Sequence, residues 1–418
     1  MSHARKRQKR ILHCFEENNG LPNNDILFIF QSADLARARN IVIWNKWFLN
    51  FLGVWPAKVN QPVFLLVSTY MIIYYAMAVN HLIQNFGNLA LMVANLTDNV
   101  LIFMILGKIA ICRRSSNTMT TFLESIETDF TTEMYNNVRE KMAYLHYNKV
   151  ALIFIRFSLS LGAFTAEAYY LKKLPEHWDS MMSGNFTYDE LPYPVHPFFE
   201  IKDTTTYICI CLYLAVMVPI ILCGYGATDV FLISMAFHMC GQFAALSCKI
   251  NNLLKDHENY HRHISSIILR HYHLIRLVEI LENSFNMICL QQTLGTVLLL
   301  CLTLYHTIST SEYDTNSATK SNIVVFILYY LSVFSTIFAY CYTGECLIIE
   351  SAGLSETFYN TDWYNNSPSH TKLIVICMIR ADRPMMLTAG KFCALSLNMF
   401  VSIVKTSMAY LSMLRQFV

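Results

Sequence analysis

The chain has 418 residues, of which 54% are hydrophobic and only 14% charged, and its formal net charge is +2. Soluble globular domains carry roughly 25% charged residues, so this balance excludes an ordinary soluble fold. The near-neutral charge leaves no footprint for nucleic acid, and the few Gly and Pro residues (13 and 10) exclude collagenous or linker-rich segments.

The first segment, residues 1–61, opens on the basic run Arg5, Lys6, Arg7, Lys9 and Arg10. No apolar stretch follows within signal-peptide distance, so a cleavable signal is not expected and the first span is expected to direct insertion. A helix crosses the hydrocarbon with about 20 mostly apolar residues, because its backbone polar groups must be satisfied within the segment. Seven stretches qualify: 62–83, 86–112, 145–171, 204–237, 285–308, 322–349 and 392–414. The fourth is expected to continue as a helix past the lipid. A shorter apolar piece, 373–379, lies near Arg380 and Arg383 and reads as a buried helix outside the bilayer. The expected fold is therefore an all-α, seven-span transmembrane bundle.

Lys and Arg alternate between rich and poor connections. Residues 1–61, the loop with Lys108, Arg113, Arg114, Arg139 and Lys141, the region 247–283 and the stretch before span seven are rich. The intervening loops are poor, which predicts a cytosolic N-terminus and an extracellular C-terminus. Of the sequons at Asn95, Asn185 and Asn365, only Asn185 falls in a predicted external loop, so it is the glycosylation candidate. A G-protein-coupled receptor runs the opposite way, and neither an Asp-Arg-Tyr-like triplet nor Asn-Pro-x-x-Tyr occurs at the expected places.

Thirteen cysteines lie mostly in apolar runs and read as small buried hydrophobes. No CxxC, HExxH or phosphate-binding loop is present, so neither an enzyme, a metal site, a cofactor nor an ATP-driven pump is expected. The histidines at 257, 261, 263, 271 and 273 alternate with Lys255, Arg262, Arg270 and Glu279 and read as a charged helix surface. Lys108, Lys149 and Arg156 sit near cytosolic span ends, from which they can snorkel to water. Glu167 and Asp229 lie inside spans, where ionisable groups are costly and often functional. Glu167 can face a ligand cavity or the external water. Aromatic and soft side chains in the outer halves of spans two to six suit a small apolar ligand, although on sequence alone an interfacial belt with bundle packing is the favoured explanation. In the seventh span, Ser402, Thr406, Ala409, Met413 and Gln416 fall within about 60–70° of one direction. Such a stripe packs against neighbouring helices or lines a wet pore, and a pore would need an oligomer around an axis.

The C-terminal region contains Asp362-Trp363-Tyr364, Arg380 to Pro384, Leu387-Thr388-Ala389-Gly390, Phe400 through Ser407 and Tyr410 through Gln416. It resembles the tail of insect odorant receptors. Trp44-Asn45-Lys46-Trp47-Phe48-Leu49 and Leu52-Gly53-Val54-Trp55-Pro56 resemble the hymenopteran branch. The resemblance implies a tuning subunit of a ligand-gated, non-selective cation channel in the plasma membrane of sensory neurons. Such a subunit works in a tetramer with the shared co-receptor (Orco) and is opened by a small volatile odorant. Met413 then matches the hydrophobic gate, where the family commonly has Val, and Gln416 the pore Gln beyond it. For the pocket the resemblance transfers only a region, the outer bundle. Helix facing within it selects Leu159, Gly162, Ala166, Tyr207, Cys211, Tyr305, Tyr329 and Tyr330. The chain divides accordingly into a cytosolic N-terminal segment (1–61), spans one to four with the pocket region (62–246), a cytosolic anchor helix (247–284) and spans five and six (285–349). An anchor segment (350–391) and the pore-lining span (392–418) complete it. A gustatory-type channel is the nearest rival, followed by a G-protein-coupled receptor and a transporter.

Overall fold

The computed structural model describes residues 35–414 except 88, 132–133, 136, 173–190, 202, 252–259, 314–316, 362 and 366. These residues are almost entirely helical. Asn185 and Gln416 lie outside the described residues, as does His257.

A short helix, α1 (Asn40–Phe51), precedes the first span. It buries Ile41, Phe48 and Leu49 against the bundle and leaves Trp44 and Trp47 exposed. Its buried Asn45 donates to Ser234 Oγ at 2.8 Å. Past its end Gly53 adopts φ 72°, the left-handed conformation that closes a helix, and a side chain there would strike the backbone of Asn60 and Phe64. The Trp-rich N-terminal signature is thus a strap whose buried edge is pinned, with Trp44 and Trp47 facing outward and Trp55 buried.

The first spans are α2 (Gln61–Gln84) and α3 (Leu89–Arg114). A cross-helix, α4 (Ser116–Glu127), leads to α5 (Val138–Leu171). The fourth span is interrupted: α6 (Thr204–Ala215), α7 (Met217–Ile221), a π-turn over Leu222–Ala227, then α8 (Thr228–Asn251). Pro219 explains the first break, since it has no N–H to offer the preceding turn. Next come α9 (Tyr260–Tyr313), α10 (Ser317–Tyr359) and α11 (Pro368–Ala381). The last is the short helix expected near Arg380, but it is buried on one face only, at Ile374, Cys377 and Ala381, and exposes Ile376 and Ile379. A hairpin of β1 (Thr388–Ala389) and β2 (Cys393–Ala394) precedes α12 (Leu397–Leu414).

Six described helices are long and apolar enough to cross a membrane, and they match the first six expected spans. The seventh is α12, an 18-residue helix. It begins at Leu397 rather than at 392, because Gly390 and Lys391 both take positive φ (59° and 66°) and turn the chain into the hairpin. Two expected boundaries also dissolve. With 54 residues, α9 is about 80 Å long against about 30 Å of hydrocarbon, so span five and the anchor before it are one rod. α10, with 43 residues, likewise runs past span six.

The core is organised around α8, which is buried on nearly every side and packs against α5, α9 and α10. A helix enclosed all round can carry polar groups only if each is met. Asp229 accepts from Lys108 Nζ at 2.6 and 2.8 Å and from Tyr340 at 2.6 Å. Lys108 is fully buried and does not snorkel, because Asp229 gives its charge a partner inside the bundle. Two turns further on, His238 Nε2 meets Asp129 Oδ2 at 3.1 Å while its Nδ1 meets Tyr144 at 3.2 Å. Arg270 donates to both Asp129 (2.6 Å) and Gln242 (2.9 Å). Burial pushes the Asp129 carboxyl up, and the His238 hydrogen bond and the Arg270 charge outweigh it, leaving the group below its ordinary value. The twelve described cysteines are all free thiols. His271, expected on a charged surface, is 6% exposed and faces Phe358 of α10, since long α9 turns that side inward.

Removing one member of a buried ion pair strands the other, at a cost of about 3–5 kcal/mol. Lys108→Met is expected to lower surface delivery and melting temperature in detergent, and Lys108→Met with Asp229→Asn to recover much of both. A single variant as stable as the native chain would contradict the pairing.

Candidate ligand cavity and the exposed face of the last helix

One cavity lies within the bundle, nearer the end where α2 turns into α3. About 780 Å³ of space lies between its lining atoms, part of it open to solvent. α5 contributes Ser158, Gly162, Thr165, Ala166 and Tyr169 to one wall. α10 faces it with Tyr329, Ser332, Val333 and Thr336. α3 supplies Asp98, Leu101 and Ile102, and Tyr74 comes from α2. Tyr193 closes the cavity from the segment before α6, and the π-turn supplies Leu222, Tyr225 and Gly226 as its floor.

The π-turn explains why there is room. Its wider turn interrupts the regular ladder, a feature frequent at functional sites. Gly224 lets α3 approach so closely that a side chain there would meet Ile105 at 2.4 Å. Aromatic contacts set the upper rim: Tyr169 stacks on Tyr193 at 5.5 Å, and Tyr74 meets Tyr193 edge-on at 6.0 Å. Below the floor lies the ion pair. Lys108 Nζ sits 4.0 Å from the Tyr225 ring centroid and donates to the Tyr225 carbonyl at 3.3 Å. Tyr225 Oη accepts from Gln292 of α9 at 2.9 Å. One side chain therefore touches both the cavity and the charged core.

Of the pocket residues chosen from helix facing, Gly162, Ala166 and Tyr329 come together in this cavity. Leu159 packs beside Gly226 at its edge. The other four sit elsewhere. Tyr207 is fully buried in α6, and the Cys211 carbonyl accepts from Tyr170 at 3.1 Å. Tyr305 clusters with Val93 and Leu302, and Tyr330 stacks on Phe334 at 5.8 Å. Glu167 is exposed; the acid in the wall is Asp98. Asp98 was findable as a carboxylate in the middle of the second span. Tyr193 lies in an irregular segment, where no periodicity points. Asn95, in the sequon within span two, is buried and donates to the carbonyls of Ala78 (3.2 Å) and Pro194 (3.0 Å).

The last helix leans on α9 and α10 along one edge only. Phe400 inserts between Phe334 and Phe338 of α10, at 5.1 and 5.5 Å, and Ile403 and Ser407 are buried. Ser402, Thr406, Ala409 and Met413 are all exposed on the single chain, Met413 by 57%. Lys405 is exposed as well. The start of α12 is held by side chains of the long rods. Glu345 of α10 accepts from the Leu397 N–H at 3.2 Å, a carboxylate at a helix N-terminus. Glu282 of α9 accepts from the Thr388 N–H at 2.8 Å and from its hydroxyl. Gly344 permits the hairpin to lie on α10, since a side chain there would meet the Leu395 carbonyl at 2.4 Å.

Comparison with known proteins gives a consistent picture. The chain is 28% identical over 167 residues to an odorant receptor coreceptor of Ooceraea biroi, covering 40% of this chain and 34% of that one. It is 26% identical over 207 residues to odorant receptor 13a of Drosophila melanogaster, covering 45% and 48%. These matches span about a third to a half of each relative's length. The structure of the olfactory receptor OR5 from Machilis hrabei in complex with eugenol superposes with a TM-score of 0.76 at 17% identity, over 92% of this chain and 100% of that one. That likeness establishes the fold. The family model described as 7tm Odorant receptor matches residues 88–408, well over half of the sequence, and the chain belongs to that family.

Proposed function

We propose that this chain is an odorant-gated cation-channel subunit whose cavity takes a small, mostly apolar volatile and whose α12 lines the pore. The observation that carries the reading is the pairing of a tyrosine-rich cavity within the bundle with a last helix whose Ser402/Thr406/Ala409/Met413 face has no covering among the described residues of its own chain. A weakly polar, exposed stripe on a membrane helix suits a water-filled axis shared by several copies. In this reading the partner copies include the shared co-receptor in a tetramer, the N-terminus is cytosolic, and the assembly sits in the plasma membrane of sensory neurons. Relatives named odorant receptor and odorant receptor coreceptor support it, as does the eugenol bound by the Machilis protein.

The route from cavity to pore runs along α10. This helix lines the cavity at Tyr329 to Thr336, bonds Asp229 through Tyr340, and caps α12 through Glu345. From Tyr329 to Glu345 is about 24 Å of uninterrupted helix. A ligand that favours one tilt or rotation of α10 therefore changes where α12 begins. It can do so only through its differential affinity for the open arrangement. With few heavy atoms the ligand has several kcal/mol to apply, so the two arrangements must lie close in energy.

Patch recordings from cells expressing this chain with a co-receptor test the reading. Met413→Ala is expected to raise leak or change permeation, and an unchanged current–voltage relation would remove Met413 from the gate. Tyr340→Phe keeps the ring but loses the hydrogen bond to Asp229, and should shift half-activation several-fold with surface levels intact. If both variants gate like the native chain, transmission along α10 is wrong. Labelling of tagged termini on intact cells separates this reading from a G-protein-coupled receptor, which exposes its N-terminus.

A further inference from the structure

The cavity holds a single carboxylate, and its surroundings specify what it can accept. Asp98 is 6% exposed in the wall between α2 and α5. Tyr169 Oη donates to its Oδ2 at 2.7 Å, while Oδ1 has no donor among the described residues. Lys172, at the end of α5, places its Nζ 3.5 Å from the centroid of the Tyr169 ring, so a positive charge stands on the far side of the ring that bonds Asp98. As a carboxylate, Asp98 accepts hydrogen bonds and donates none. Two further groups stand around the same cavity. The hydroxyls of Tyr193 and Tyr329 are buried and have no hydrogen-bond partner among the described residues.

We propose, taking the cavity as the ligand site, that Asp98 makes it selective for odorants carrying a hydroxyl group over the same skeletons carrying a carbonyl. A hydroxyl donates to Asp98 Oδ1 and accepts from Tyr193 or Tyr329, so one small group answers an acceptor and a donor together. A ketone or ether can take the tyrosine bond but turns lone pairs toward the carboxylate, which stays buried and unmet. Elsewhere in the wall, Leu101, Ile102 and Val333 offer apolar surface for a compact ring or branched chain, beside the hydroxyls of Ser158, Thr165, Ser332 and Thr336. Lys172 already places a positive charge near the carboxylate, which weakens the pull on a protonated amine.

The test uses the full chain expressed with a co-receptor and alcohol–ketone pairs of one carbon skeleton, 1-phenylethanol with acetophenone and larger homologues. Currents are recorded against concentration, and ligand-dependent melting is followed on purified protein. Hydrogen bonds to a buried charge are strong, so the alcohol of the preferred pair should act at about tenfold or more lower concentration than its ketone. Asp98→Asn offers both a donor and an acceptor in the same shape, and should bring the pair within about threefold. Parity in the native chain, silence toward every pair, or a preference that survives Asp98→Asn overturns the assignment. Should Asp98→Asn fail to reach the surface, the native ratio decides. Ala166→Phe, which fills the cavity, separates the two claims. Responses that persist in it defeat the cavity as the ligand site, whereas responses lost in it alongside native parity defeat only the role of Asp98.

Discussion

The arrangement depends most on the buried pairing of Lys108 with Asp229. Two charges leave water only if each finds the other together with further hydrogen bonds, and here Tyr340 and the Tyr225 carbonyl complete the set. Because the participants come from α3, the π-turn, α8 and α10, the pair fixes how four segments meet in depth and rotation. Apolar packing alone would leave these helices free to slide, since lipid competes for the same surfaces. The pair lies directly beneath the cavity floor, so whatever disturbs Tyr225 is felt by the charges.

Further along α8 the same logic recurs in softer form. Asp129, from the connection after α4, is held by His238 and Arg270, and Tyr135 accepts from Gln242. These contacts clasp the connection onto two long rods. At the other end of the chain, Glu282 of α9 and Glu345 of α10 reach to the hairpin and to the first turn of α12. The last helix is thus positioned through its N-terminal end and through the edge carrying Phe400, Ile403 and Ser407, while its Ser402/Thr406/Ala409/Met413 face stays exposed.

Much of this was legible in the amino-acid order. Apolar runs of about 20 residues locate the spans because the bilayer leaves the backbone no alternative, and the Ser402/Thr406/Ala409 stripe follows from helix geometry alone. What escaped has physical causes. Lys108 reads as a snorkelling lysine until its partner, 121 positions away, is known. Glu167 and Asp98 are both acids in spans, and only the rotation of each helix decides which meets the cavity. Tyr207 and Tyr305 sit at the right depth but on helix faces turned elsewhere. The overrun of α9 and α10 is invisible to hydropathy, because a helix that leaves the lipid turns polar without ending. The hairpin straddles the start of the seventh apolar run, and Gly390 just ahead of that run is its mark in the sequence.

The distribution of stiffness in the bundle follows from where its helices are broken. α9 and α10 run for tens of residues without proline or irregular turns, so each behaves as a strut. The fourth span instead bends at Val216 and widens at Leu222–Ala227, beside the cavity. Compliance is gathered where a visiting molecule would sit, and rigidity where its effect must be carried. Under the proposed gating, such a layout would let differently shaped ligands be accommodated locally while acting on the same struts. Chemical tuning and mechanical output can then diverge separately, the first by changes around the bend and the second by changes along the rods.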